Sequence, residues 1–232
     1  MKIVSNPKKI QRYYKIGLYT SLGSLVFLIG AVALTLSGRT DLVTYSFVAM
    51  LAGLILSQVG VYFANRWGKP PRVDERITQG LKGLDDRYTL YHYVSPVPHL
   101  LVGPAGVWVI VSQYQPGAIS YENKRYRQQG VGFFGRVIGQ EGLGRPDLEA
   151  QSFTQDVEKF LKKEMPDGSL PAIHTAIVFT SAKASVSAQE APVPTMHLEK
   201  LKDFIRRKAK EEPARMDEIR KVQDLLPEED LD

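Results

Sequence analysis

The residues of this chain able to do chemistry are few, and their spacing argues against most reactions. There are four histidines, His92, His99, His174 and His197, and no cysteine. No two histidines stand at i, i+4, and without thiolates there is no soft metal site of the zinc-finger kind. Each histidine therefore reads as a strand residue with a hydrogen-bonded ring. Ser112, Ser120 and the serines of 181–187 lack a nucleophile elbow, and no lysine-bearing phosphate loop occurs. Gly130-Val131-Gly132-Phe133-Phe134-Gly135 spells G-x-G-x-x-G, but a dinucleotide site needs a strand before it and a helix opening within it, and neither is evident. With Gly139, Gly142 and Gly144 the run reads as a mobile loop, its Phe133, Phe134, Val137 and Ile138 covering the core. Asp74 and Glu75 stand at a helix start, where carboxylates complement the positive end of the helix dipole.

The elements that must position these residues begin with two uninterrupted apolar runs, 16–36 and 42–64, free of Asp, Glu, Lys, Arg and His. At ~1.5 Å per residue each reaches the ~30 Å of a hydrocarbon core. Only Ser37, Gly38, Arg39, Thr40 and Asp41 separate them, so the pair predicts a transmembrane helical hairpin with both ends on one side of a cell membrane. Lys2, Lys8, Lys9, Arg12 and Lys15 precede the hairpin and Arg66, Lys69 and Arg72 follow it. Such flanks are retained in the cytoplasm, so the multi-pass protein is expected to have cytoplasmic N- and C-termini. A cleaved signal is the rival reading of the first run, but that run is longer than a signal core and a second span follows directly. The absence of cysteine agrees with a reducing compartment. Gln58 is the most polar side chain mid-span, and Gly53 with Ser57 forms a small-xxx-small spacing suited to close helix packing. With no ionisable residue in either span, the hairpin reads as an anchor.

The net charge of +5 divides unevenly: through Arg72 there are nine Lys or Arg against one Asp (+8), and beyond it 21 against 24 acidic residues (−3). Basicity is thus juxtamembrane and suits anionic lipid headgroups as a partner. Nucleic acid is not supported by the charge of the soluble part. Residues 1–15 are read as a basic tail, 16–64 as the hairpin, 65–73 as a linker, 74–210 as an α/β domain and 211–232 as a helical, acidic tail. Within the domain, 74–84 predicts a short helix. Residues 88–94, 99–102 and 107–113 predict three strands in quick succession, and 118–121 with 124–128 a shorter hairpin. A helix over 146–165, strands at 172–179 and 194–197 and a helix over 198–210 complete a mixed sheet flanked by helices.

The run Pro98-His99-Leu100-Leu101-Val102-Gly103-Pro104-Ala105-Gly106-Val107-Trp108-Val109-Ile110, followed by Gly117-Ala118-Ile119, resembles the core of the nuclease-related domain (NERD) family of the restriction-endonuclease-like superfamily. Asp74-Glu75 sits where that family has an acidic pair, and Tyr126 where it has a Trp. Arg145-Pro146 with Glu149 stands where it has Asn-Pro and a Gln. Val178-Phe179 and Val193-Pro194 to Leu201 also correspond, so the likeness extends over about 74–205. It implies a restriction-endonuclease-like central mixed sheet.

The superfamily's metal site would use an Asp opening one strand and a Glu-x-Lys on the next. Here those places hold Pro98, Val111 and Gln113, which offer neither the hard carboxylate ligands that Mg²⁺ requires nor a titratable amine. The expectation is a catalytically inactive nuclease-fold binding or scaffold module, with no cofactor and a possible protein partner or second copy of itself. Asp74, Glu75, Gln113 and Glu149 are the candidate pocket residues. One alternative is a Mg-dependent nuclease with relocated carboxylates, Asp74 or Glu75 and Glu149 approaching the pocket from flanking helices. The other is a subunit whose membrane hairpin drives oligomerisation.

Overall fold

A computed structural model of the chain describes residues 1–68, 70–130, 142–166 and 170–231. The chain divides into two compact units, residues 8–72 and residues 1–7 with 73–232. In the first, α1 (Pro7–Leu36) and α2 (Val43–Trp67) are joined by a tight turn in which Gly38 takes φ +69° and Arg39 grips Asp41 with two hydrogen bonds. Both helices are long and apolar enough to cross a membrane. Their large side chains point outward, Val26 and Leu36 being 71% and 81% exposed, unlike those of a soluble core helix.

The helices meet through small residues. Gly17, Ser24 and Ala31 are the buried positions of α1, and Ser46, Gly53 and Gly60 those of α2. Both stripes repeat every seven residues, the period at which one face of a helix keeps returning to a partner. The close approach is real at Gly53, where an added Cβ would lie 2.8 Å from Leu28 Cγ, and at Gly60, where it would meet Ser21. The spacing that matters is thus seven and not the four of Gly53 and Ser57. At the open end Tyr13, Phe63 and Trp67 cluster, with 4.7 Å between the Tyr13 and Trp67 rings, and Arg66 lies 4.0 Å over Tyr62. The amphipathic Tyr and Trp rings suit a headgroup layer.

The second unit is mixed α/β. Its six-stranded sheet runs β1 (Lys2–Ser5), β2 (Thr89–His92), β3 (His99–Gly103), β4 (Gly106–Gln113), β7 (Ile173–Phe179) and β9 (Thr195–His197) in that spatial order. Only β3 is antiparallel to the rest. A small sheet holds β5 (Gly117–Glu122) between β6 (Arg125–Gln129) and β8 (Ala184–Ser187). Helix α3 (Val73–Gly80) is a shorter version of the predicted 74–84, the chain turning beyond Gly80 to bury Leu81 and Leu84.

Side chains alternate across the sheet, and each face has its own core. Leu90, Leu101, Trp108, Ile110 and Val178 pack with Ile77 of α3 and with Leu201 and Ile205 of α5 (Leu198–Glu211). Leu100, Val109, Val111, Ile177 and Phe179 pack with Ala150, Val157 and Leu161 of α4 (Pro146–Glu164), with Ile119 of the small sheet, and with Ile219 and Val222 of α6 (Met216–Asp224).

The N-terminal segment differs from its sequence reading. Part of the tail of 1–15 is strand β1, paired in parallel with β2 over Lys2 to Ser5. The helical, acidic tail is docked through Ile219 and Val222, and its end is tethered as well: Leu231 donates from its N–H to Ser5 O at 3.0 Å, and Ser5 N–H donates to Asp230 Oδ1 at 2.6 Å. Most of the glycine run, including Gly132, Phe133, Phe134, Gly135, Val137, Ile138 and Gly139, lies outside the described residues.

Candidate functional site

Parallel strands bring their C-terminal ends to one sheet edge, the edge where open α/β proteins hold ligands. Here β4 ends at Gln113, β7 leads into Thr180, and β9 ends at His197. Gln113 continues the alternation of Val107, Val109 and Val111 toward α4, and Glu149 lies in the first turn of α4. The two meet: Gln113 Nε2 donates to Glu149 Oε2 at 2.8 Å. The Gln113 carbonyl accepts from Thr180 N at 2.7 Å and from Thr180 Oγ1 at 3.2 Å. From α3, on the opposite face, Arg76 Nη1 donates to Thr180 O at 3.0 Å. A polar chain Arg76–Thr180–Gln113–Glu149 therefore wraps the sheet edge and joins the helices of both faces.

Each sequence-predicted residue can be placed against that edge. Pro98 precedes β3 and its carbonyl accepts from Tyr93 N at 2.9 Å. Val111 is wholly buried in the apolar core facing α4. Asp74 and Glu75 open α3, Asp74 being buried. Glu149 and the Asp74–Glu75 pair thus start from opposite faces, and of the candidates Gln113 and Glu149 meet directly. A divalent cation needs several hard oxygens around one point. A buried valine and an amide turned toward the nearest carboxylate do not fit that demand. Among the described residues no three His, Asp or Glu gather as metal ligands. The chain matches no family model, no curated protein and no solved structure.

Four groups at this edge escape a reading by motif. Thr180 and Arg76 are joined to this edge by donating to backbone carbonyls, acceptors that leave no trace in residue type. His92 and His99 face each other across β2 and β3, their Nδ1 atoms 2.8 Å apart, so one nitrogen carries the proton and the other accepts it. Thr78 Oγ1 lies 2.9 Å from His92 Nε2. The signal for this pair was the symmetry of the two histidines about the Ser95–Pro96 turn, readable only once the hairpin register is known. Burial, and secondarily the neighbouring His92, hold the His99 imidazole well below its ordinary range. His99 is therefore a neutral ring at physiological pH.

At the other edge, a cavity of about 350 Å³ opens among Trp108, His174, Val193, Lys208 and Glu212. His174 stacks on Trp108 with 4.8 Å between ring centroids. Burial lowers the His174 pKa, against the opposing pull of Glu212. Lys208 is tied to Glu211 and Glu212 at 3.2 and 3.4 Å, which leaves the cavity without a convergent set of polar groups. The strand-end edge carries the richer chemistry.

Proposed function

We propose that the protein is a membrane-anchored, cytoplasmic α/β module related to the nuclease-related domain family, and that it binds a ligand or partner at the strand-end edge without cutting phosphodiester bonds. The observation that carries this reading is the Gln113–Glu149 hydrogen bond at 2.8 Å. Where the resemblance expects a strand lysine beside a helix glutamine, this chain has a strand glutamine beside a helix glutamate. The glutamine amide has neither the positive charge to stabilise a phosphate nor the basicity to move a proton.

The anchor reading is supported by the exposed apolar faces of α1 and α2 and by the basic flanks, which favour anionic headgroups on the cytoplasmic leaflet. It is also supported by chain connectivity. Residues 1–7 and 73–232 fold as one unit, so both ends of the hairpin must start from the same side. The deciding experiment incubates the full chain in nanodiscs with Mg²⁺ or Mn²⁺ and labelled single- and double-stranded DNA and RNA. No cleavage above a protein-free control is expected, with no metal heat in calorimetry. Metal-dependent cleavage that is lost in Glu149→Ala would replace this reading with a nuclease of relocated carboxylates.

A further inference from the structure

Gln58 of α2 is exposed, and among the described residues it has no hydrogen-bonding partner. The hydroxyls of Thr20, Ser24, Thr35 and Ser46 are satisfied at home, each donating to a backbone carbonyl of its own helix. A glutamine amide is not satisfied that way. Six residues inside the Ala64 end of its apolar run, Gln58 sits about 9 Å from that end at ~1.5 Å per residue, too deep for its short side chain to reach water. Five residues beyond Gly53, it also lies about 140° around the helix from the small-residue stripe, so α1 cannot serve it.

We propose that α2 packs against α2 of a second copy of this chain, the two Gln58 amides hydrogen-bonded to each other. The proposal rests on the membrane reading above. Hydrocarbon supplies no partner for an amide, and an unmet amide there is costly. Because the group carries both a donor NH2 and an acceptor carbonyl, two copies related by a twofold axis satisfy each other with the same residue. The surrounding face fits. Phe47, Leu51 and Leu54 are all about half exposed or more and precede Gln58 at spacings of four, three and four, the seam of two helices packed along their length. The outward face of α1 presents Leu22, Leu25, Ile29 and Leu36, which lipid alone satisfies.

The chain has no cysteine, so single cysteines report directly. In membranes treated with copper phenanthroline as the oxidant, Leu54→Cys is expected to form a disulfide-linked dimer, and Ile29→Cys, on the far side of α1, is not. In nanodiscs, Gln58→Leu is expected to weaken dimerisation roughly 3- to 30-fold, the range for one polar contact between membrane helices, while Gln58→Asn retains it. A monomeric wild-type chain, equal cross-linking at both positions, or cross-linking of Leu54→Cys only to a different protein would each overturn the dimer. Alkaline carbonate extraction separates the two failures. Release from the membrane brings down the anchor and the dimer together, whereas retention of a monomer brings down the dimer alone.

Discussion

At the scale of single residues, the strand-end edge is a set of hydrogen bonds that depend on neutral or correctly paired groups. His99 is the sharpest case. Its folded pKa lies well below the ordinary value because burial disfavours the imidazolium, and a proton on both rings would set two donors face to face across the 2.8 Å contact with His92. The unfolded chain binds the proton near pH 6.5 and the folded chain does not, so stability rises with pH in this window. The contribution is complete above about pH 6.5 and falls toward lower pH by about 1.4 kcal/mol per pH unit until the folded pKa is reached. Denaturant titrations of the full chain in detergent between pH 7.5 and about 5 should show at least that slope, and His99→Gln, which can still bond His92, should reduce it, the lowered pKa of His174 supplying a remainder of the same sign. An unchanged slope in the variant would assign the acid sensitivity elsewhere.

At the scale of elements, two packing features carry predictions. Strand β1 is far in sequence from its partner, yet it pairs along its whole length with β2 and has the chain end tethered to its outer side. A fragment of residues 73–232 leaves the β2 edge bare and Val4 missing from the core, an invitation to aggregation. Such a fragment should be soluble and cooperative in thermal melts only when residues 1–6 are joined to it by a flexible linker; equal behaviour without them would show β1 to be dispensable. In the hairpin, Gly60 and Gly53 differ in what a methyl group meets. At Gly53 the two nearest atoms are Leu28 Cγ and Cδ2, with one backbone atom, Leu28 N, at 3.3 Å, whereas at Gly60 two Ser21 backbone atoms lie closer, at 3.1 and 3.2 Å. Gly60→Ala should therefore cost about 1–3 kcal/mol, as overpacking does, and more than Gly53→Ala. Hairpin unfolding by SDS titration measures the difference.

At the scale of the whole molecule, one folded unit is built from both sides of the hairpin, which makes topology testable at two points. In intact cells Ser37→Cys in the turn should react with a membrane-impermeant maleimide, while Ser95→Cys in the α/β unit should react only after permeabilisation. The reverse labelling would invert the orientation. Much of this plan was legible from residue pattern alone. The apolar runs, the three quick strands, the long helix opened by Pro146 and the docked Leu201–Ile205 face all follow from period and punctuation, because local burial dictates them. The strand at Lys2–Ser5 was not legible. Four residues with two of them charged or polar have no period of their own, and they become a strand only because β2 presents an unpaired edge.

The residue pattern by itself determined the two long apolar helices and the mixed α/β class, because these depend on residue type and short spacing. Only the tertiary structure decided that Gln113 meets Glu149, that His92 meets His99, that the chain end ties down β1, and that Gln58 faces away from α1. Each of these is a contact set by strand register or by helix rotation, and a linear string of residues carries neither until the core has chosen which faces to bury.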